Sequence, residues 1–184
     1  MQILQTIGID PGKTGGIASI TTDGRGRGTL DVWDMPISEQ TGDPCPFELH
    51  RILKDCQSDA NRIDVYIEKV GSRPGQGVVS TFNFGVGYGI VKAAVAIHCL
   101  PITLIPPATW KPRMRIKSGG TKTQKKDRAM ARASELLPFC KDMWPLKKHD
   151  GRAEAALIAV YGHMSEGTPI TVIEAGTLNG KPVA

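Results

Sequence analysis

The spacing of apolar and polar residues first predicts three strands in succession. Residues 3–9 are rich in β-branched side chains and end at the turn signal Asp10-Pro11-Gly12. Residues 15–20 and 29–33 have the same character and are separated by a Gly-rich turn. Short β-branched runs bounded by turn residues are typical of strands that pair as hairpins. We therefore expect an antiparallel meander at one side of a sheet.

After residue 40 the apolar period changes to that of helices. The pair Asp43-Pro44 predicts a helix start with proline in its first turn. Residues 64–68 and 101–105 read as two more strands. Further helices are predicted over residues 80–97, 109–113, 121–137 and 150–163. The order predicts a mixed α/β protein with one domain over 1–163, followed by an arm or extra strand over 164–184.

The composition is that of an ordinary globular protein. The 184 residues are 40% hydrophobic and 22% charged, which suits one core. We read no apolar run of the ~20 residues that a membrane span needs, and no signal-peptide pattern at the N-terminus. The four cysteines are widely scattered, which favours neither a zinc site nor a disulfide framework. We expect a cytoplasmic protein with no membrane partner.

The net charge of +5 is concentrated in one segment. Residues 111–128, here called the basic segment, hold eight Lys or Arg residues and one acid, so the rest of the chain totals −2. A local basic patch on a slightly acidic protein indicates a polyanion such as nucleic acid. A solvated helix face with a loop before it is the alternative. The basic residues proposed to contact nucleic acid are Lys111, Arg113, Arg115, Lys117, Lys122, Lys125 and Lys126.

Four acids stand at positions where a sheet and a helix can bring them together. Asp10 and Glu68 end two predicted strands, and Asp150 and Glu154 lie four residues apart on one helix face. Carboxylates crowded in one crevice repel one another, and Mg²⁺ or Mn²⁺ relieves that repulsion. Two such ions ~4 Å apart catalyse phosphodiester hydrolysis. We therefore predict these four acids as metal ligands and catalytic residues.

Each acid also has a structural explanation. Asp10 before Pro-Gly can form an Asx turn. Glu68 can form a salt bridge, for example with Lys92 or Lys111. Asp150 can cap its helix, and Glu154 can interact with the helix dipole.

Five segments follow one another in an order and spacing that a known family shares. They are Ile7-Gly8-Ile9-Asp10-Pro11-Gly12 with Thr14-Gly15-Gly16, Val65-Tyr66-Ile67-Glu68, Phe84-Gly85-Val86-Gly87-Tyr88-Gly89, Pro106-Pro107-Ala108-Thr109-Trp110-Lys111, and Gly151-Arg152-Ala153-Glu154-Ala155-Ala156-Leu157. Together they resemble the RuvC family of Holliday-junction resolvases, over about Ile3 to Tyr161. The resemblance implies a ribonuclease H-like fold, a mixed five-stranded sheet flanked by helices. It also implies an Mg²⁺-dependent homodimer that cuts four-way DNA junctions with paired nicks.

The resemblance also assigns roles to individual residues. It places Lys111 near the scissile phosphate and a second lysine on the next helix, for which Lys122, Lys125 and Lys126 compete. It places an aromatic near Phe82 or Phe84, after the loop of Arg73 and Gln76, at the junction centre. Packing under the helix is the alternative for at least one phenylalanine. We expect Trp33, Trp110 and Trp144 to pack in the core or at its edge.

One departure from the family pattern concerns the last two metal-site residues. The bacterial pattern commonly has them three apart, whereas Asp150 and Glu154 are four apart, as in the organelle and phage-like branch. A helix accommodates either spacing. Whether His149 or Asp150 occupies the third acidic position is therefore left open.

Three other functions stay open at this point. The segment from Asp10 to Gly15 also resembles the phosphate-binding hairpin of actin-like kinases, which need two such domains. A ribonuclease H-like nuclease acting on flaps, forks or RNA–DNA hybrids is a second alternative. A binding module without a metal site is a third, and the presence of all four acids argues against it.

Overall fold

One mixed sheet forms the centre of the structure, a computed structural model that describes residues 3–23, 25–57, 60–71, 75 and 77–183. The five predicted strands are confirmed: they are β1 (Leu4–Asp10), β2 (Gly16–Thr22), β3 (Arg27–Asp34), β4 (Arg62–Glu68) and β5 (Ile102–Ile105). The C-terminal segment adds β6 (Val172–Leu178) and β7 (Lys181–Pro182), giving the order β5-β4-β1-β2-β3-β6-β7. Over the described residues the sheet thus has seven strands, because the segment expected to be an arm or extra strand extends it beyond β3.

The pairing directions bring two predicted acidic positions to the same edge. β1 pairs antiparallel with β2 as the expected hairpin, and parallel with β4. The register aligns Ile9 with Ile67, so Asp10 and Glu68 follow side by side. Parallel neighbours end at the same edge of a sheet, and the two carboxylates therefore meet there.

Helices cover both faces of the sheet. In the part of the chain that the structure describes they are α1 (Pro46–Cys56), α2 (Val78–Ile97), α3 (Pro107–Arg113), α4 (Lys122–Leu136) and α5 (Asp150–Ser165), with short 3-10 helices at Pro138–Met143 and Lys147–His149. α1 and α2 pack on Ile7, Ile9 and Ile17, whereas α3, α4 and α5 pack on the opposite face. This arrangement puts the helix that carries Asp150 and Glu154 directly over the centre of the sheet.

Small residues let α5 approach β1 very closely. A Cβ at Gly8 would lie 2.3 Å from both the carbonyl oxygen of Ala155 and the backbone nitrogen of Ala159. Such a distance is shorter than any van der Waals contact, so only glycine fits at this position. The backbone of α5 therefore rests directly on the backbone of β1.

The predicted start of α1 is wrong, because the helix begins one proline later. The helix starts at Pro46, and Cys45 is its N-cap residue. A proline therefore occupies the first helical position, as predicted, but this proline is Pro46 and not Pro44. Pro44 instead forms a β-bridge with Ile37, and Asp43 pairs with Lys13 at 3.3 Å. The predicted capping of α4 is confirmed, since Thr121 and Gln124 form a reciprocal capping box.

Helix α2 corrects the expectation that no apolar segment is long enough to span a membrane. It is 20 residues long with a mean hydropathy of 1.3, which by length and composition alone passes the test for a membrane span. Its most apolar stretch is 22% buried in the described structure. Most of this stretch is therefore exposed on the surface of the described structure.

Candidate active site

Three carboxylates meet where β1, β4 and α5 converge. Asp10 lies at the end of β1, Glu68 at the end of β4, and Glu154 one turn into α5. Burial raises the pKa of Asp10 from its ordinary 3.8 to about 7, and the negative charges of Glu154 and Glu68 contribute to this rise. The backbone N–H of Gly12, which lies 3.4 Å from Oδ1 of Asp10, lowers the pKa of Asp10. Burial and mutual repulsion together make this an acidic cluster that favours a cation.

A backbone contact holds Asp10 and α5 in this arrangement. A Cβ at Gly151 would lie 2.2 Å from the carbonyl oxygen of Thr14 and 2.6 Å from Cα of Gly15. The first turn of α5 therefore touches the turn that follows Asp10, and no side chain fits between them. The distance from β1 to Glu154 is thus fixed by backbone packing.

The buried Glu68 is held by two consecutive residues of α3. It is 7% exposed, and the indole N–H of Trp110 donates to its Oε1 at 3.0 Å. Nζ of Lys111 lies 3.8 Å from the same oxygen. Trp110 is fully buried, as expected, but its hydrogen bond to an acid of the cluster was not predicted. Its neighbour Lys111 was the signal in the sequence that could have indicated this role.

Two lysines form ion pairs with the acids of α5. Nζ of Lys111 lies 3.0 Å and 3.1 Å from the two carboxylate oxygens of Glu154. Nζ of Lys126 lies 2.8 Å from Oδ1 of Asp150. Of the three lysines that competed for the second basic position, Lys126 is therefore the one paired with a predicted metal ligand, whereas Lys122 and Lys125 are exposed.

His149 and Asp150 have different surroundings. Nδ1 of His149 accepts a hydrogen bond from the backbone N–H of Leu146 at 3.3 Å, within the 3-10 turn before α5. Burial and the nearby Arg152 lower the pKa of His149. Asp150 is the first residue of α5 and contacts Lys126. The structure thus gives His149 a local contact and Asp150 a contact with a basic residue of the site.

The donor set suits a hard divalent cation, although this geometry does not form a closed metal site. Within the described ranges, no three His, Cys, Asp or Glu side chains form a group able to hold a metal ion. The ammonium of Lys111 lies between Glu68 and Glu154, where it supplies compensating positive charge. Carboxylate oxygens are the ligands that Mg²⁺ and Mn²⁺ prefer. The carboxylates of Asp10, Glu68 and Glu154 therefore fit such an ion by their ligand chemistry.

Arg152 supports the start of α5 in a way that the sequence analysis missed. Its guanidinium donates to both carboxylate oxygens of Asp34, at 2.7 Å and 2.6 Å, and to the carbonyl oxygen of Met143 at 3.0 Å. Asn179 in the β6–β7 turn also donates to Asp34, at 3.1 Å. A nearly buried arginine in an otherwise small and apolar helix was the available signal, because such a charge needs a partner.

The residues predicted to contact nucleic acid differ in their exposure. Arg113, Arg115, Lys117, Lys122 and Lys125 are exposed, and Lys126 is half-buried. Phe82 is 70% exposed on α2, whereas Phe84 is partly buried. Arg73 and Gln76 lie outside the described residues.

Arg128, in the basic segment, stabilises the loop before α4. The guanidinium of Arg128 donates to the carbonyl oxygens of Lys117, Ser118 and Gly119, at 2.6 Å, 3.3 Å and 2.9 Å. Arg128 therefore holds the loop before α4. These bonds go to neutral carbonyl oxygens, so Arg128 keeps its positive charge while it shapes the loop.

Comparison with known proteins places this arrangement in a recognised fold. Thermus thermophilus RuvC in complex with a Holliday junction substrate superposes with a TM-score of 0.57 at 17% identity, covering 97% of this chain and 99% of that one. A second structure of Thermus thermophilus RuvC gives a TM-score of 0.51 at 17% identity, covering 89% and 97%. No protein-family model matches the sequence, and no curated protein matches it. The chain therefore shares its α/β fold with RuvC, as the sequence analysis predicted.

Proposed function

We propose that this chain, whose fold is that of RuvC, is a divalent-metal-dependent endonuclease that resolves four-way DNA junctions. The observation that carries the proposal is the convergence of Asp10, Glu68 and Glu154, where burial first and then the charges of Glu154 and Glu68 raise the pKa of Asp10 to about 7. Perturbed acids of this kind concentrate at functional sites. The RuvC structure that covers nearly the whole chain is a complex with a Holliday junction, which supports the choice of substrate.

The side chains divide the work of phosphodiester hydrolysis among them. Asp10, Glu68, Asp150 and Glu154 would hold Mg²⁺ or Mn²⁺, and the negative charges of both Glu154 and Glu68 act on Asp10. Two such ions, when bound, supply an activated water and stabilise the leaving oxygen. Lys111, whose ammonium lies 3.0 Å from Glu154, would neutralise charge that develops on the scissile phosphate in the transition state.

The exposed surface of α2 supports a second copy of the chain as a partner. Val78, Val79 and Phe82, within the first two turns of α2, are 86%, 73% and 70% exposed. An exposed apolar patch on a globular protein marks an interaction site. A four-way junction has two symmetric cleavage positions, and a homodimer related by a two-fold axis presents two active sites to them. We therefore propose a homodimer in which α2 lies at the interface.

A substrate panel tests the proposed function. The protein is incubated in Mg²⁺ with synthetic four-way junctions, forks, flaps, linear duplex and RNA–DNA hybrid, each labelled on one strand at a time. We expect paired nicks in the junction that leave 5′-phosphates, and loss of cleavage in EDTA or with Asp10→Asn. Preferential cutting of forks, flaps or hybrids would favour the alternative nuclease. Full activity in EDTA would contradict the metal-dependent mechanism.

A further inference from the structure

A second recess adjoins the acidic cluster and has a different chemical character. It is a cleft of about 550 Å³ between α3 and the start of α4, here called the α3–α4 cleft. Lys111 and Glu154 belong both to its lining and to the acidic cluster. The cleft therefore opens directly onto the position where the proposed function places the scissile phosphate. Its volume lies within the ~300–1,000 Å³ of small-ligand sites.

The walls of the cleft are apolar and its rim is basic. Pro107, Ala108, Pro112 and Ile116 provide its apolar surface. Lys117 and Lys125 stand at the rim and are exposed. An apolar slot surrounded by cations matches a nucleotide, since a base has apolar faces and each base is attached to a phosphate.

The loop that closes one side of the cleft is built into a fixed shape. Arg115 adopts a left-handed backbone conformation with φ of 57°, which is strained for a side chain of its size. Arg128 holds the next residues through three hydrogen bonds to their carbonyl oxygens, and Nε of Arg132 donates to the carbonyl oxygen of Met114 at 2.8 Å. Two buttressing arginines and a strained residue indicate a preorganised wall.

We propose that the α3–α4 cleft receives one unstacked nucleotide of the bound DNA strand, adjacent to the scissile phosphate. The inference rests on the proposed function. The base enters between Pro112 and Ile116, and Lys117 and Lys125 contact the flanking phosphates. A base that must fit this slot contributes to the choice of cleavage position. The cleft thereby couples sequence preference to the placement of the phosphate at Lys111.

Fluorescence of 2-aminopurine tests this placement directly. Junctions carry a single 2-aminopurine at each of the positions around the nick, and they are bound to Asp10→Asn in Mg²⁺ so that the strand stays intact. We expect a fluorescence increase of about twofold or more at one position beside the nick, because an unstacked base is no longer quenched by its neighbours. In Ala108→Trp, in which the indole fills the slot, this increase disappears. Ala131→Trp, at an exposed position on α4, retains it.

Cleavage specificity supplies the second readout. Junctions are randomised around the nick and cut by proteins that retain Asp10. We expect a base preference of about tenfold at the same position, reduced to about twofold in Ala108→Trp and retained in Ala131→Trp. Deoxynucleoside monophosphates alone, titrated against Asp10→Asn, are expected to bind far more weakly than the junction.

The outcomes separate this inference from the function on which it rests. A junction that is cut normally, with no fluorescence change at any position, overturns the cleft assignment and leaves the nuclease intact. Equal base preference in Ala108→Trp and the parent protein also overturns it. Tight binding of a monophosphate would make the cleft a nucleotide site independent of DNA and would overturn the proposal. Failure to bind or cut any junction contradicts the proposed function itself.

Discussion

At the residue scale, the raised pKa of Asp10 makes the stability of the protein depend on pH. Its pKa rises to about 7, so the folded protein retains a proton between about pH 4 and pH 7 that the unfolded chain releases. The contribution of Asp10 to the stability of the metal-free protein therefore falls as pH rises through this window and is constant above it. A divalent ion removes this dependence, since it favours the ionised carboxylate.

Substitution of Asp10 by Asn should separate stability from activity. In EDTA at pH 8, Asp10→Asn is expected to be more stable than the parent by on the order of 1–3 kcal/mol, a few degrees in Tm, and equal to it near pH 4. Thermal melts at both pH values measure the difference. The exposed Asp142→Asn serves as the control and should show no such pH dependence. Junction cleavage by Asp10→Asn should be abolished while binding is retained; normal cleavage would contradict the site.

Lys126 should compete with the metal for Asp150. Its ammonium lies 2.8 Å from the carboxylate, and it must leave or shift when a divalent ion binds. Lys126→Met keeps a side chain of similar length and removes its charge. We expect Mg²⁺ to bind about two- to fivefold more tightly to this variant in the absence of DNA, and junctions to bind more weakly. Calorimetric titration measures the first effect, with Lys122→Met as the exposed control; weaker Mg²⁺ binding would mean that Lys126 organises the site instead.

At the scale of elements, strand and helix periods were sufficient for β1 to β5 and for the capping of α4. The first residue of α1 was predicted wrongly because Pro44 and Pro46 carry the same local signal for a helix start. The choice between them depends on the β-bridge of Pro44 with Ile37. The pairing of β6 with β3 could not be predicted either. It depends on long-range contacts such as that of Thr177 with Asp31, whose sequence separation is 146 residues.

Helix α2 provides a prediction about assembly. Val79→Glu places a charge on its exposed apolar surface, where Val79 is 73% exposed. We expect the parent protein to sediment at twice its 19.8 kDa mass and the variant to sediment as a monomer. Phe139→Glu, at a 65% exposed position outside α2, is the matched control and should remain dimeric. A parent protein that is monomeric at all concentrations would contradict the proposed interface.

At the scale of the whole molecule, the sequence located the positive charge in one segment but could not show the internal contacts that part of it makes. The basic segment does lie beside the acidic cluster, yet Lys111, Lys126 and Arg128 are engaged with groups of the protein itself. Composition sums charges without their partners, and only the three-dimensional arrangement distinguishes an internal ion pair from a phosphate contact. The convergence of Asp10, Glu68 and Glu154 could be predicted because strand ends and helix faces follow from local periods.

The salt dependence of DNA binding should reflect the charges that remain. Replacing Lys122, Lys125 and Lys126 by Gln together is expected to flatten the slope of log affinity against log salt by up to ~0.9 for each phosphate that these lysines neutralise in the parent protein. Fluorescence anisotropy of a labelled junction at several salt concentrations measures the slope. Lys54→Gln with Lys181→Gln, outside the basic segment, should leave it unchanged. An unchanged slope in the triple variant would mean that this surface does not meet the DNA.

The seating of α5 on β1 and on the turn after Asp10 limits how such a protein can change during evolution. Insertion or deletion of a single residue before Glu154 would rotate the helix by about 100° and shift it by about 1.5 Å. Gly8 and Gly151 leave no space to absorb that displacement, so the carboxylate would leave the site entirely. Surface positions can drift far apart in sequence while this helix keeps its length and phase. Chains of this fold can therefore differ at most of their positions, as the 17% identity to RuvC illustrates.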